Sequence, residues 1–529
     1  MRPIRQSSSS AARRGPQAFA VATLLAGLAA CGGGGGGGGD PGGGGGGNYL
    51  DPNTYSTAAG ASLSTPNEIT SVTHGSLALG GSSVAYTATA GHLTASDSAN
   101  APEASFFYVA YTADGAPAAT RPVTFLFNGG PGSATVWLHL GSWAPKRLVT
   151  GVPATTQTAP FPYVDNTESL IDTTDLVFVD AVGTGLSEAI APHTNQTYWS
   201  VDADAGVMRD FILRYLAANG RTASPLFVYG ESYGTVRAPV VARLLETGGT
   251  PVSGVVVQSS ILNYNSNCSI DLPAAPTVSC AGQLPTYAAV GAYYGLVVPA
   301  PTDEASFLDA MRDYADSTYD PAAKRWLALG SPSSPPPGGD VPTLVADTGL
   351  EATWWNQRYD MDWDTFRHNL IAGTTLGVYD GRISAPVGSA LDANDEPSDT
   401  FIDGPFTTAI NDILPNDLGY TNPTRYVPLS NAINTWDFSH GGRSLPDVVP
   451  DLATAIALDP SLRILSIGGV HDLITPFHQT ELDFARLGSG APVTSSFRDG
   501  GHMTYLDDRS RPLMKADLVA FYAATLGAK

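Results

Sequence analysis

The spacing of hydrophobic positions changes along the chain, and each pattern predicts a different kind of strand. Residues 68–93 alternate apolar and polar side chains, which is typical of antiparallel strands with one buried face. Three later runs are apolar throughout and end in glycine-containing turns, and two more β-like runs follow, a pattern that favours buried parallel strands. These five runs are VTFLFNG (123–129), LVFVDAVG (176–183), LFVYGES (226–232), VSGVVVQSSIL (252–262) and LRILSIGGVHD (462–472).

One segment between the second and third of these runs has the period of an amphipathic helix. Residues 200–220 place apolar or aromatic side chains at helical spacing and end in a glycine, a common helix terminator. A strand, a helix and a strand in succession predict a parallel sheet, because such a crossover returns the chain in the same direction. We therefore predict an α/β fold with a mostly parallel central sheet.

The stretch between the fourth and fifth strand-like runs breaks this rhythm with turn-rich loops and helical segments. We interpret residues 266–430 as a cap insertion carried on a core that consists of residues 61–265 and 431–529. An aromatic segment at 353–366, TWWNQRYDMDWDTF, could line a substrate cleft or pack locally inside a helical cap. Local packing is the favoured interpretation.

The N-terminus has the pattern of an export signal. Residues 1–30 contain arginines and serines and then the apolar run AFAVATLLAGLAA, which is too short to span a bilayer. Because the ending LAAC resembles the lipobox of bacterial lipoproteins, we expect lipidation of Cys31. An ordinary cleaved signal with an incidental cysteine is the alternative. The glycine-rich residues 31–60 predict a flexible tether, so we expect an exported protein, anchored to a bacterial membrane and facing the periplasm or the cell exterior.

Composition narrows the function classes. Hydrophobic residues make up 43% of the 529-residue chain and charged residues only 14%, which indicates a globular protein with a large core. The formal net charge is -22, from 27 basic and 49 acidic residues. Nucleic acid is therefore excluded as an expected partner, because a polyanion would be repelled by this surface. The acidity is interpreted as a contribution to solubility.

The two cysteines after the signal, Cys268 and Cys280, predict a disulfide in an exported chain. Closing this loop would contribute about 3 kcal/mol in the chain-entropy model. No histidine is close to them in sequence, and a zinc site would need more ligands. We expect neither a metal site nor a cofactor.

A nucleophile pattern follows the third apolar run. Residues 230–234, GESYG, fit G-x-S-x-G directly after a strand, where flanking glycines let a serine project above the sheet edge. A serine hydroxyl needs a base and a group that orients the base, and hydrolases of this kind place them in the order Ser, Asp or Glu, His. Ser232, Asp472 and His502 satisfy that order. Three other histidines compete for the role of base but lie too close to Asp472 or before it: His440, His471 and His478.

Acyl transfer also requires hydrogen-bond donors for the oxyanion. One is expected from the backbone N–H after the nucleophile, on Tyr233, and the second from an upstream glycine-rich loop. The segment 128–131, NGGP, supplies such a loop at the end of the first apolar run. Its backbone amides are predicted to face the serine.

Five motifs together, in the order NGGPG, VDAVGTGLSE, GESYG, VHDLITP and GGHM, resemble the serine carboxypeptidase family, peptidase family S10. The segments LPTYAAVGAYYG and INTWDFSHGGRS are more similar to its bacterial branch. The resemblance implies an α/β-hydrolase fold with a cap insertion. It also implies an enzyme that removes single residues from the C-termini of peptides or proteins at acidic pH.

The resemblance also implies a role for each site residue. It places the nucleophile on Ser232, the acid on Asp472, the base on His502, the oxyanion amides on Gly130 and Tyr233, and the grip on the substrate carboxylate on Asn128 and Glu231. Two like charges about 4 Å apart repel by roughly 4 kcal/mol at an effective dielectric near 20. Glu231 can hold a carboxylate only if one of the two acids carries a proton, which favours acidic pH.

Two departures from the family pattern concern serines. Ser133 stands where members often have a cysteine, and Ser142 stands where eukaryotic relatives tend to have a glutamate. Two other functions remain open on the same scaffold. One is an esterase or acyltransferase that uses the same triad, and the other is a non-catalytic binding protein.

Overall fold

A sheet of ten strands forms the centre of the computed structural model, which describes residues 48–268 and 278–527. The strands are β1 (Thr70–Leu79), β2 (Ser82–Ser96), β3 (Pro102–Ala113), β4 (Val123–Phe127), β5 (Asp175–Val179), β6 (Glu188–Ala189), β7 (Leu226–Glu231), β8 (Gly254–Gln258), β9 (Arg463–Gly469) and β10 (Val493–Arg498). Their order is β10-β9-β8-β7-β4-β5-β3-β2-β1, with β6 beside β3. The strand numbers decrease steadily across the sheet except at one point, where β5 lies between β3 and β4.

The directions of the strands follow the two hydrophobic patterns. The six strands from β10 to β5 in the sheet order are parallel to one another, and β4, β5 and β8 are buried along their whole length. The alternating segment forms β1 and β2, which pair antiparallel and extend the sheet with β3. The predicted mostly parallel sheet is therefore confirmed. The edge strand β10 was not predicted, because its residues VTSSFR are polar and partly exposed.

Helices cover both faces of this sheet. They are α1 (Val136–Gly141), α2 (Val201–Ala218), α3 (Gly234–Thr247), α4 (Leu284–Tyr293), α5 (Glu304–Tyr314), α6 (Asp320–Ala328), α7 (Val341–Thr348), α8 (Ala352–Gln357), α9 (Trp363–Asn369), α10 (Pro397–Asn416), α11 (Val449–Leu458), α12 (Phe477–Ala485) and α13 (Arg511–Gly527). One core packs α2, α3 and α11 against the sheet, and a second packs α1, α10 and α13 against its other face. This arrangement is the α/β-hydrolase fold.

Helix α2 is the helix predicted between two strands. Its N-cap, Ser200, accepts a hydrogen bond from the backbone N–H of Ala203, and two aspartates in the first turn complement the helix dipole. The apolar positions Val207, Phe211 and Ile212 are buried in the first core. The amphipathic period therefore predicts which face of this crossover helix is buried.

Helices α4 to α9 build a third hydrophobic core of their own. Trp355, Tyr359 and Phe366 from the aromatic segment are buried in it, and Phe366 stacks on Tyr287 with the ring centroids 4.1 Å apart. The aromatic segment therefore packs locally within the cap. Helix α10 differs from the rest of the predicted cap range, because it packs in the second core of the sheet.

The predicted tether ends earlier than residue 60. Tyr49–Leu50 pairs in parallel with Tyr420–Thr421, and the buried Tyr55 donates a hydrogen bond of 2.7 Å to the buried Asp51. Aromatic side chains thus fix residues 48–60 to the folded core, which corrects the predicted range of 31–60. The predictions for the signal in residues 1–30, for Cys31 and for the glycine tract lie outside the described residues.

Cys268 and Cys280 form a disulfide whose Cα atoms are 5.3 Å apart, just before α4. Two further short strand pairs lie outside the main sheet, Lys146–Leu148 with Tyr163–Asp165 and Thr374–Leu376 with Ser384–Pro386. None of the helices in the described ranges has the length and apolar character needed to cross a membrane.

A buried ion-pair network links the second of these strand pairs to the core. Arg382, whose side chain is 1% exposed, lies 2.7 Å from Asp380 and 2.7 Å from Asp507. Burial raises the pKa of Asp507, but the hydrogen bond and the charge of Arg382 outweigh it and hold that pKa below its usual range. Arg382 therefore bridges two buried carboxylates, and Asp507 has a second, longer contact of 3.3 Å with the exposed Arg509.

We expect Arg382→Met to lower the free energy of unfolding by about 3–5 kcal/mol, because both carboxylates lose their shared cation. The matched control is Arg214→Met, which removes a half-exposed pair with Glu68 and should cost less than about 1 kcal/mol. Urea denaturation followed by tryptophan fluorescence measures both changes. Equal losses in the two variants would contradict this interpretation.

Candidate active site

The turn between β7 and α3 holds Ser232 in a backbone conformation that non-glycine residues rarely adopt. Its φ is 58°, and its backbone N–H donates a hydrogen bond of 3.1 Å to the carbonyl of Gln258 on β8. A Cβ atom at Gly230 would overlap the carbonyl group of Gly234, and one at Gly234 would overlap the carbonyl of Phe127. Only glycine therefore fits on either side of this serine.

His502 and Asp472 form a hydrogen-bonded pair beside this turn. Asp472 follows β9 and is fully buried, and its Oδ2 lies 2.8 Å from His502 Nδ1. The backbone N–H groups of Ile474 and Thr475 each donate to Asp472 Oδ1 at 3.0 Å. The Thr475 hydroxyl donates to Asp472 Oδ2 at 2.5 Å. The carboxylate is thus held in one orientation, which places the His502 proton on Nδ1 and leaves Nε2 as the acceptor.

The backbone of His502 is fixed from two sides. Its N–H donates to the carbonyl of Tyr379 at 2.6 Å, and its carbonyl accepts a hydrogen bond of 2.6 Å from the Ser259 hydroxyl. Burial lowers the pKa of His502, but the charge and hydrogen bond of Asp472, together with the charge of Glu231, outweigh it and raise the pKa. The imidazole is therefore positioned and made more basic by its carboxylate neighbours.

One cavity collects most of the predicted site residues. Its walls include Ser232 and His502, with Asp472 behind the imidazole, and the predicted Asn128, Gly130 and Glu231. The cap contributes Tyr379, and α10 contributes Asp399. The remaining lining residues are Gly129, Ser133, Trp137, Leu429 and Met503. The structure thus brings together residues that are far apart in the sequence.

Two backbone amides near the serine are free to donate. Within the described ranges, neither the N–H of Gly130 nor that of Tyr233 has a hydrogen-bond acceptor. A Cβ atom at Gly129 would overlap the Tyr233 nitrogen, so glycine at this position keeps that amide accessible. Gly130 has a φ of 100°, which only glycine adopts readily. The arrangement suits a pair of oxyanion donors.

Asn128 and Glu231 form a buried pair in the same cavity. Asn128 Nδ2 donates to Glu231 Oε1 at 2.7 Å, and Asn128 Oδ1 accepts from the backbone N–H of Leu138 at 3.0 Å. Glu231 is 2% exposed, and its Oε2 has no hydrogen-bond partner in the part of the chain that the structure describes. Burial raises the pKa of Glu231 to about 7, although the charge of His502 opposes the shift.

Sequence reasoning missed Thr475 and Tyr505. The Tyr505 hydroxyl lies beside Glu231 and lowers the pKa of that carboxyl, yet among the described residues Tyr505 Oη has no partner in hydrogen-bond geometry. A serine provides no second acid at position 142, and its hydroxyl donates to the carbonyl of Leu138. A local signal for Thr475 exists in the sequence, since an aspartate side chain commonly bonds to backbone groups that closely follow it and so draws the next residues toward the carboxylate. The position of Tyr505 depends on tertiary packing alone.

The competing histidines have other partners or lie elsewhere. His440 and His478 each bridge two carboxylates through both ring nitrogens, at distances of 2.8 and 2.9 Å. His471 is buried behind Asp472 and does not line the cavity. None of the three shares the cavity with Ser232.

Comparison with known proteins gives one family match. Residues 80–262 match the sequence model of a family described as serine carboxypeptidase, and this range includes the Asn128 loop and the Ser232 turn. No curated protein matches the sequence.

Several solved structures are similar to this chain at low sequence identity. Proline iminopeptidase from Mycobacterium smegmatis is 14% identical with a TM-score of 0.36, over 83% of this chain and 99% of that one. Haloalkane dehalogenase DbeA from Bradyrhizobium elkani is 12% identical with a TM-score of 0.31, over 84% and 100%. A thermophilic esterase from Thermogutta terrifontis is 13% identical with a TM-score of 0.30, over 82% and 99%.

These three similarities are too remote to indicate an activity. The family match and the fold rest on different observations, the first on the sequence of residues 80–262 and the second on the sheet order and its helices. Both agree with the motifs around Ser232. The chain is therefore a hydrolase of the α/β-hydrolase type, and its residues 80–262 resemble the serine carboxypeptidase family.

Proposed function

We propose that the protein is a serine carboxypeptidase that releases C-terminal residues from peptides. The observation that carries this proposal is Glu231, a buried carboxyl group directly before Ser232 that lines the same cavity. One of its oxygens has no hydrogen-bond partner among the residues that the structure describes. An uncharged ester substrate has no carboxylate for such an acid to hold. A carboxyl group that can donate a proton suits the free carboxylate at the end of a peptide.

In this proposal the triad cleaves the last peptide bond in two steps. Ser232 Oγ attacks the carbonyl carbon while His502 Nε2 takes the hydroxyl proton, and His502 then gives that proton to the departing amino group. The acyl-enzyme ester on Ser232 is cleaved by water, which His502 deprotonates in turn. The amides of Gly130 and Tyr233 donate to the oxyanion in both steps, each contributing about 3 kcal/mol.

The substrate carboxylate would be held by Asn128 and by protonated Glu231. Repulsion of roughly 4 kcal/mol between two carboxylates about 4 Å apart corresponds to about three pKa units. The pKa of Glu231 is already about 7 before substrate enters, because the group is buried. A bound carboxylate raises it further, so that Glu231 donates an O–H to the substrate instead of repelling it.

The first test concerns the nucleophile. We expect Ser232→Ala to lower kcat/KM for a peptide substrate by about 10⁴-fold or more and to abolish labelling by a fluorophosphonate probe. The control is Ser133→Ala, which changes another serine of the cavity and should keep the label. A Ser232→Ala protein that is still labelled would exclude this serine as the nucleophile.

The second test separates a carboxypeptidase from an esterase or acyltransferase on the same triad. We expect kcat/KM to favour a free-acid peptide over its C-terminal amide by about 10- to 150-fold, the range of a charge-assisted hydrogen bond. Glu231→Ala should remove this preference, whereas Glu351→Ala, at an exposed glutamate before α8, should keep it. Equal rates on acid and amide in the unmodified protein would favour the esterase or acyltransferase.

The third test uses pH. Because Glu231 is protonated below a pKa of about 7, KM for a free-acid peptide should be low at acidic pH and should rise as pH increases past neutral. Glu231→Gln should flatten this rise. Tyr505→Phe should move it to higher pH, because the tyrosine hydroxyl lowers the pKa of Glu231. A KM that stays constant from pH 5 to 8 in the unmodified protein would contradict the proposed carboxylate grip.

A further inference from the structure

A second cluster of polar side chains lies behind the catalytic pair. Glu304, His471 and Asp499 each contribute one nitrogen or oxygen atom, and these three atoms lie within 4.8 Å of one another. His471 follows β9 and precedes Asp472, Asp499 follows β10, and Glu304 is the first residue of α5 in the cap. The cluster therefore joins the cap to the edge of the sheet, next to the triad acid.

The imidazole of His471 is buried with one nitrogen unused. The residue is 2% exposed, and its Nδ1 has no hydrogen-bond partner among the residues that the structure describes. The imidazole also interacts with the backbone carbonyl of Ala289. The Nδ1 atom faces the carboxylate of Asp499, and a cation between the two groups would be bound by a lone pair of the neutral imidazole and by the carboxylate.

The spacing of the atoms fits a bridging cation better than a hydrogen bond. His471 Nδ1 lies 3.7 Å from Asp499 Oδ1, which is too long for a hydrogen bond. Two ligands each about 2.1 Å from a Zn²⁺ ion are about 3.4 Å apart at a tetrahedral angle. The exposed Glu304 side chain supplies the third ligand atom, within 4.8 Å of the other two.

The surrounding charges also favour a cation. The nearest positive groups are the guanidinium groups of Arg382 and Arg509, and both are paired with Asp507. Arg382 is paired with Asp380 as well. Four carboxylates therefore face two guanidinium groups, which leaves the region negative. Neither arginine is in hydrogen-bond contact with His471.

A similar cluster elsewhere in the cap differs in how its histidine is bonded. Asp364, His368 and Asp395 also lie within 4.8 Å of one another. Both nitrogens of His368 are used, Nδ1 at 2.8 Å from the Asp364 carbonyl and Nε2 at 2.9 Å from Asp395 Oδ1. The hydrogen bond to Asp364 raises the pKa of His368 to about 9 against the opposing effect of burial, so the imidazole is itself the cation. This cluster is an ion pair with no lone pair to offer.

We propose that Glu304, His471 and Asp499 bind a divalent transition-metal cation of the Zn²⁺ type. One imidazole and two carboxylates suit such a cation, whereas Ca²⁺ prefers a larger set of oxygen ligands. The cation would fasten helix α5 of the cap to the ends of β9 and β10. This site is separate from the proposed peptidase activity, and it departs from the sequence-based expectation of no metal because its residues are far apart in the chain.

The test is a Zn²⁺ titration of the full chain after removal of metals with a chelator. Binding is measured by isothermal titration calorimetry, and stability is measured by thermal unfolding at increasing Zn²⁺ concentration. The unmodified protein should bind one more equivalent of Zn²⁺ than Glu304→Gln, or bind that equivalent at least about tenfold more tightly. Its thermal midpoint should rise with Zn²⁺ more than that of the variant. His368→Asn, the matched control from the ion-paired cluster, should bind as the unmodified protein does, and Ca²⁺ should not replace Zn²⁺.

Zinc bound at the catalytic His502 does not confuse the result, because it would be the same in the unmodified protein and in Glu304→Gln. Asp499→Asn provides a second ligand variant, and Glu304→Gln alone decides if Asp499→Asn does not fold. Unchanged Zn²⁺ binding in Glu304→Gln would overturn the proposal. An equal loss in His368→Asn would overturn it too, because binding would then be nonspecific. None of these outcomes depends on peptidase activity.

Discussion

The site depends on one steric constraint, the close approach of the loop after β4 to the turn after β7. At Gly129, Gly230 and Gly234 an added Cβ atom would overlap backbone atoms of the opposite or adjacent segment. This contact presents Ser232 in its left-handed conformation. It also sets the free amide of Tyr233 beside the glycine loop. A single packing arrangement of two turns therefore places Ser232 and the Asn128–Glu231 pair beside the amides of Gly130 and Tyr233.

Two buried carboxyl groups near Ser232 have different surroundings, and this difference separates their roles. Asp472 accepts hydrogen bonds from two backbone amides, from the Thr475 hydroxyl and from His502, as a buried carboxylate requires. Glu231 accepts only the bond from Asn128 and keeps a free oxygen within the described structure. The burial of Glu231 is thus only partly compensated, so a proton is retained near neutral pH.

Local sequence patterns predicted the elements whose structure depends on nearby residues, namely the buried strands and the amphipathic helix. The five apolar runs became β4, β5, β7, β8 and β9, and the amphipathic segment became α2. The order of the motifs predicted Ser232, Asp472 and His502 as the members of the triad. Features that arise from tertiary packing were missed, including the polar edge strand β10, the docking of α10 on the sheet and the position of Tyr505 beside Glu231. Tertiary packing also explains why the tether ends before residue 60. Residues 49 and 50 pair with residues 420 and 421, which are far away in the sequence.

The hydrogen bond from His502 to the carbonyl of Tyr379 has a consequence for how the cavity can open. The neighbouring backbone contacts, from Leu473 to Val378 and from Gly381 to His471, attach the same cap segment to the loop that carries Asp472. A lid that lifted away from this side would displace His502 and Asp472 from each other. Opening that keeps the His502–Asp472 pair intact therefore has to leave this cap segment in place.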